Sequence, residues 1–272
     1  MKAVKITDGI YWVGAIDWNL RNFHGYSTQR GSTYNAYLII DDKITLIDTV
    51  KSYLVDEMLA RIRSVVDPGK IDYVISNHVE MDHSGGLPRI MELAPKAKVI
   101  TSPLGKKGLQ AHYKREFNFE IMKTGNVLNL GQRNLHFVLT QMVHWPDNMV
   151  CYCPENKILF SNDAFGQHLA SSERFDDQYP VSVIFHEAKK YYANIVLPYS
   201  MQVKKALDAV LKLNIDIIAP SHGIIWRGHH YNILSEYQKW SSNETTNRAL
   251  IIYDTMWQST EKMAHAFRSA FE

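Results

Sequence analysis

Asn77-His78-Val79-Glu80-Met81-Asp82-His83-Ser84-Gly85-Gly86 is the stretch on which the reading of this chain turns. It follows Tyr73-Val74-Ile75-Ser76, an apolar and β-branched run that predicts a strand. His78, Glu80, Asp82 and His83 place four metal-ligating side chains within six residues. In extended backbone, positions 78 and 80 project the same way, while the turn toward Gly85-Gly86 lets Asp82 and His83 aim at a second point. That spacing suits two neighbouring metals better than one. Any single His or Glu in such a turn would ordinarily be a solvated polar residue. Three later segments, each at the end of a predicted strand, offer further ligands. They are His144 in Val143-His144-Trp145-Pro146-Asp147, Asp163 in Phe160-Ser161-Asn162-Asp163-Ala164-Phe165-Gly166, and His222 in Ala219-Pro220-Ser221-His222-Gly223.

Outward from this motif, short β-rich runs at 10–15, 35–41 and 43–48 open the chain as a meander. Residues 52–66 change to helical spacing, with Leu54, Met58, Ile62 and Val65 on one face. Helix 86–94, strand 98–102 and helix 103–112 follow as alternating units that imply parallel strands. Strands at 134–140, 149–153 and 157–161 return to a hairpin pattern, then a helix at 181–195 and another with Val203, Ala206, Leu207, Val210 and Leu211 on one stripe lead to a strand at 216–219. The second half repeats the order of the first. Two sheet layers with helices outside, an αββα sandwich in the α/β (α+β) class, fit this order.

The chain has 272 residues, of which 46% are hydrophobic and 21% charged, so it can bury a substantial core. Thirty Lys and Arg against 28 Asp and Glu leave a net charge of +2, which gives no electrostatic case for nucleic acid or an anionic membrane as partner. The first residues carry Lys5 and Asp8 inside any signal-like stretch, and a cytoplasmic location is expected. Cys151 and Cys153, the only cysteines, read as buried reduced thiols.

The His-x-Glu-x-Asp-His motif with the later His144, Asp163 and His222 resembles the metallo-β-lactamase superfamily. Glu80 stands where the zinc hydrolases of that superfamily carry His. With His144-Trp145-Pro146-Asp147 and Ser161-Asn162-Asp163-Ala164-Phe165-Gly166, the pattern looks like the flavodiiron proteins, also called A-type flavoproteins. The resemblance covers essentially all of residues 1–248. It implies that His78, Glu80 and His144 hold one iron, that Asp82, His83 and His222 hold the other, and that Asp163 bridges them. The donor set points the same way on its own: imidazoles and carboxylates without thiolate suit iron or manganese, and zinc can substitute. The family also places polar residues near its open iron face, and His24, Tyr26 and Tyr192 match them. Asp48, at the end of a strand, fits equally an acid orienting a ligand imidazole and a cap for the helix after Lys51. The remaining histidines, 112, 136, 168, 186, 229, 230 and 265, have no ligand context and read as surface or core residues.

The polar run Ser241–Asn247 reads as a linker. Beyond it, Ala249-Leu250-Ile251-Ile252-Tyr253 reads as a buried strand and 260–271 as a helix with Met263, Phe267 and Phe271 on one face. Residues 249–272 resemble the first strand, phosphate loop and helix of a flavodoxin-like domain, with Thr255, Ser259 and Thr260 suited to an FMN phosphate. Bound FMN is expected in longer relatives and not in this chain alone. The expected function is therefore the diiron domain of an oxidoreductase that reduces O2 to water or NO to N2O. It would need an external flavoprotein or rubredoxin-like donor, and a homodimer would cover the tail. A diiron oxygen sensor or carrier signalling to a partner, and a zinc hydrolase, are the alternatives.

Overall fold

Alternation of apolar side chains along the strands sorts the chain into layers. The computed structural model describes residues 1–271. Glu272, the last residue of the expected 249–272 segment, lies outside the described residues. Contacts divide the chain into two units, Met1–Ser242 and Asn243–Glu272, so the break falls inside the polar run and a few residues before the expected boundary at 248.

In the first unit a seven-stranded sheet has the order Val4–Thr7, Ile10–Trp12, Tyr37–Ile39, Thr45–Ile47, Tyr73–Ser76, Lys98–Thr101, Phe119–Ile121. It starts as an antiparallel meander and becomes parallel from Thr45–Ile47 onward. A five-stranded sheet has the order Val127–Asn129, Asn134–Leu139, Met149–Cys153, Ile158–Asn162, Ile217–Pro220, parallel only in its last pair. Ile39, Ile47, Ile75 and Ile100 of the first sheet share one core with Phe137, Cys151, Ile158 and Phe160 of the second. Their sequence neighbours Leu38, Leu46, Val74 and Val99 point the other way, into a core with Met58, Ile62 and Ile90 of helices Val55–Arg63 and Leu87–Leu93. Val150, Leu159 and Ile218 likewise face Ile184, Val203 and Leu207 of helices Val181–Tyr191 and Ser200–Val210. Period-two burial against a helix stripe on each outer side is what makes the layers α, β, β, α. Cys151 and Cys153 are free and buried in the central layer.

Several short elements lie beyond the expectations from sequence, among them the strands Val4–Thr7 and Ser32–Tyr34. Strands Phe119–Ile121 and Val127–Asn129 have three residues each, too few to show a period, and helix His230–Ser241 buries only Ile233, Leu234, Tyr237 and Ser241. In the second unit, residues 249–253 correct the expectation of a buried strand. Among the described residues they pair with no strand, and Leu250 and Ile252 are 84% and 86% exposed. A strand exists only through a ladder partner, which an apolar run does not itself supply. Helix Ser259–Phe271 carries Ser259 and Thr260 in its first turn, while Thr255 lies before it with its backbone N–H bonded to Asp254.

Candidate metal centre

Seven donors meet where the strand ends of the two sheets face each other. After Tyr73–Ser76 the chain runs extended through His78 and Glu80, then makes one helical turn, Met81–Ser84, that carries Asp82 and His83. Gly85 closes this turn because a Cβ there would lie 2.4 Å from the Met81 carbonyl and 2.8 Å from the Ser52 nitrogen. Asp163 follows Ile158–Asn162 in a turn where Asn162 and Phe165 both adopt positive φ, a strained backbone of the kind that gathers at functional sites. His222 follows Ile217–Pro220 and precedes Gly223, whose φ of +79° and close approach to Gln167 admit no side chain.

The donors form two groups, His78, Glu80, His144 and Asp163 in one and Asp82, His83 and His222 in the other. Asp163 faces both. Its Oδ2 lies 3.3 Å from His144 Nε2 and 3.7 Å from His78 Nε2, while its Oδ1 lies 3.0 Å from His83 Nε2 and 3.5 Å from His222 Nε2. Glu80 Oε2 completes the first group at 3.3 Å from His78 and 3.5 Å from His144, and Asp82 Oδ2 the second at 3.3 Å from His83 and 3.2 Å from His222. Ligand bonds of about 2.1 Å place neighbouring donors about 3.0–3.5 Å apart, which is this spacing.

Both oxygens of Asp82 and of Asp163, and Nε2 of His83, His144 and His222, are buried without a hydrogen bond. Stranded polar atoms are costly. Here they converge on common points and not on one another, which is how donors around a cation are arranged, so the residues fit a pair of metal ions. Electrostatics agree. Burial alone would lower His78, His83 and His144, but the facing carboxylates outweigh it and raise them to about 10, 9 and 10. Burial would raise Glu80, Asp82 and Asp163, yet the imidazoles hold all three below the usual carboxylate range.

The imidazoles are aimed from behind. His78 Nδ1 lies 2.9 Å from Asp147 Oδ2, which also accepts the Val79 N–H, and His222 Nδ1 lies 2.7 Å from the Thr33 carbonyl. Such partners fix which nitrogen is free for a metal. Asp147 is the last residue of the His-Trp-Pro-Asp segment, and nothing in that spacing assigned it this role. Asp48 does not cap the helix after Lys51, and it lies in the electrostatic reach of His83. It accepts from the backbone and side chain of Asn77 and so holds the entry to the motif.

Relatives share this arrangement of chain. A family model described as ODP family beta lactamase matches residues 33–223. The nitric oxide reductase of Moorella thermoacetica is 53% identical over 268 residues, 97% of this chain and 67% of that protein. The solved rubredoxin oxygen:oxidoreductase of Desulfovibrio gigas superposes with a TM-score of 0.95 at 44% identity, covering 99% of this chain and 69% of the other. The crystal structure of the flavodiiron protein from Giardia intestinalis does so with a TM-score of 0.94 at 37% identity, covering 99% and 68%.

This chain belongs to the flavodiiron family.

In this flavodiiron chain the first donor group is the more open side, since Glu80 is half-buried and His144 is 8% exposed while Asp82, His83 and His222 of the other group are buried. His24 stands there with Nε2 3.4 Å from Glu80 Oε1, and its ring stacks on Phe23. The Tyr26 hydroxyl is buried without a partner. Tyr192 corrects the expectation of a tyrosine at this face. Its hydroxyl lies 3.4 Å from Ser200 Oγ and its ring packs on Tyr237 and Trp240 in the outer helical layer. The neighbouring Tyr191 lies nearer the donors, its ring 5.9 Å from His222 and 6.4 Å from His24, its hydroxyl buried and unpartnered. One residue is about 100° of helix, and a π-helical turn beginning at Tyr192 obscures the register from sequence.

Trp145 packs edge-on against His78 at 5.0 Å and lines the site, whereas Phe165 packs on Tyr237 in the outer layer. His168, read from sequence as an ordinary histidine, is 1% exposed and lies 4.8 Å from the His222 ring. Burial, with His222 and His24 nearby, pushes it well below the usual histidine range, so it is neutral. Among the described residues no helix is long and apolar enough to cross a membrane.

Proposed function

We propose that this chain carries the diiron half of an oxygen or nitric oxide reductase, with His78, Glu80, His144 and Asp163 around one iron and Asp82, His83, His222 and Asp163 around the other. The observation that carries the reading is Asp163, whose two oxygens face separate donor groups. Imidazole and carboxylate donors without thiolate favour iron or manganese, while zinc can occupy the same pocket. The names of the Moorella and Desulfovibrio relatives, nitric oxide reductase and rubredoxin oxygen:oxidoreductase, support the two substrates. A bound ferrous pair supplies two electrons and Lewis acidity.

The chain's own residues bind, orient and exclude water. Glu80 and His144 border the side by which a diatomic ligand enters. Tyr26 and Tyr191 offer buried hydroxyls from rings packed against His168, and burial raises both phenols above their ordinary value, so they remain donors at neutral pH. Phe23 and Trp145 keep the pocket dry. Electrons come from a flavoprotein or rubredoxin-like donor. FMN belongs to a completed flavodoxin-like domain, in which Thr255, Ser259 and Thr260 would cradle its phosphate at the helix start. The functional form is a homodimer, and two reduced thiols suit a cytoplasmic setting.

The test compares iron-loaded and zinc-loaded chain under one flavoprotein reductase and NADH. Sustained NO or O2 uptake by the iron form alone is expected. Equal uptake by both forms would contradict a redox role for the metals, and binding of a single gas equivalent without turnover would favour a sensor.

A further inference from the structure

We infer that His168 is a positioning residue for His24: the row Ser32, His168, His24 holds the His24 ring one way over, with Nε2 facing the open side of the metal site. The inference rests on the proposed reaction for its purpose and on geometry for its content.

His24 sits at the tip of the hairpin Asn22–Phe23 with Tyr26–Ser27, where His24 and Gly25 adopt φ of 51° and 77°. Two consecutive positive φ values make the tight two-residue turn that joins such strands. A side chain on a hairpin tip has no neighbouring strand to hold its ring. Stacking on Phe23 fixes the plane of the ring but leaves it free to turn over, which would put carbons Cδ2 and Cε1 where Nδ1 and Nε2 stand. The flip is blocked by His168, whose Nε2 lies 3.2 Å from His24 Nδ1.

His168 is anchored in turn. Its Nδ1 lies 2.8 Å from Ser32 Oγ, and the ring is enclosed by Phe23, Tyr26, Tyr191 and His222. Ser32 belongs to the short strand Ser32–Tyr34, whose next residue, Thr33, receives the Nδ1 of the ligand His222 on its carbonyl. One strand therefore orients a metal donor and the His24 row together. Turning His24 over would strand a fully buried nitrogen of His168 away from water, which a protein interior disfavours. Between two facing imidazole nitrogens only one carries the proton, so the bond also selects a tautomer. The result is that His24 Nε2 is held toward Glu80 Oε1 and the entry side of the pocket. Each oxygen atom that leaves the site as water takes up two protons, and a nitrogen held at that side is placed to handle them.

Nitrogen-15 NMR of histidine-labelled, zinc-loaded full chain reads the tautomers without any turnover. Wild type should show His24 in one tautomer. In His168→Leu the two His24 nitrogens should average, whereas His168→Gln, which keeps a polar group near the place of Nε2, should restore the wild-type pattern. In the iron-loaded chain His168→Leu should lower kcat for gas reduction about 10- to 100-fold with two metals retained and KM changed less, as losses of outer partners typically do. An unchanged His24 tautomer in folded His168→Leu would overturn the inference. If that variant does not fold, Ser32→Ala removes the anchor with little change in volume, and an unaltered His24 signal there would overturn it equally. Absence of uptake by iron-loaded wild type would instead count against the proposed reaction and leave the tautomer result standing.

Discussion

At the scale of the residue, the candidate donors that the fold brings together were legible because metal chemistry restricts both type and spacing, and His78, Glu80, Asp82 and His83 lie within six residues of sequence. Their partners were not. Asp147, Thr33 and His168 act through contacts made only by folding, and the choice of Tyr191 over Tyr192 depends on a helical register that a π turn disturbs. Asp163→Asn keeps one oxygen and loses the second, so metal content should fall from two per chain to below one, read by elemental analysis after gel filtration. Retention of both metals would remove Asp163 from the bridge. Tyr191→Phe should slow gas reduction with both metals retained, while Tyr192→Phe should leave it unchanged; the reverse result would return the role to Tyr192. The pH dependence follows from the raised imidazoles at His78, His83 and His144. In the unfolded chain these titrate near about 6.5. Their contribution to the metal-free fold is therefore complete below that pH and is lost as pH rises through about 9 to 10. A metal must displace the same protons, so its affinity rises over the same span. The gap in melting temperature between zinc-loaded and metal-free chain should widen between about pH 6 and pH 9, and a constant gap would contradict the assignment of these protons.

At the scale of the element, strands and helices of the sandwich were readable because each strand buries alternate residues on opposite faces and each outer helix buries one stripe. Tyr73–Ser76, Lys98–Thr101 and Met149–Cys153 fall within a residue of expectation for that reason. Residues 249–253 show the limit, since an apolar run becomes a strand only when a partner strand is present. The single turn Met81–Ser84 was also beyond periodicity, being shorter than two helical repeats. Its geometry depends on Gly85. In Gly85→Ala a new methyl would press on backbone from two segments, Met81 and Ser52, neither of which can move like a flexible side chain. A loss of about 1–3 kcal/mol is expected from such overpacking, with weaker metal retention at the Asp82 and His83 group. Urea unfolding of metal-free protein measures the first and elemental analysis the second. Wild-type values for both would show that the turn tolerates a side chain.

At the scale of the whole molecule, the two-layered sheet brings donors from four separate strand ends to one place, and that convergence is why fold and site are readable from the same residues. The second unit raises a separate question, because Met263, Phe267 and Phe271 of helix Ser259–Phe271 are exposed. Exposed apolar stripes of this kind ordinarily find a partner surface. Light scattering should give about twice the monomer mass for the full chain and the monomer mass for a chain ended at Asn247; a monomer in both cases would contradict the homodimer. The claim on which everything else depends is that two metals share Asp163. Anomalous diffraction at the iron edge, from crystals of chain purified and iron-loaded without air, tests it most directly. Two peaks about 3.5–4 Å apart, one on each side of the Asp163 carboxylate, are expected. A single peak, or two peaks with Asp163 turned away from both, would contradict it.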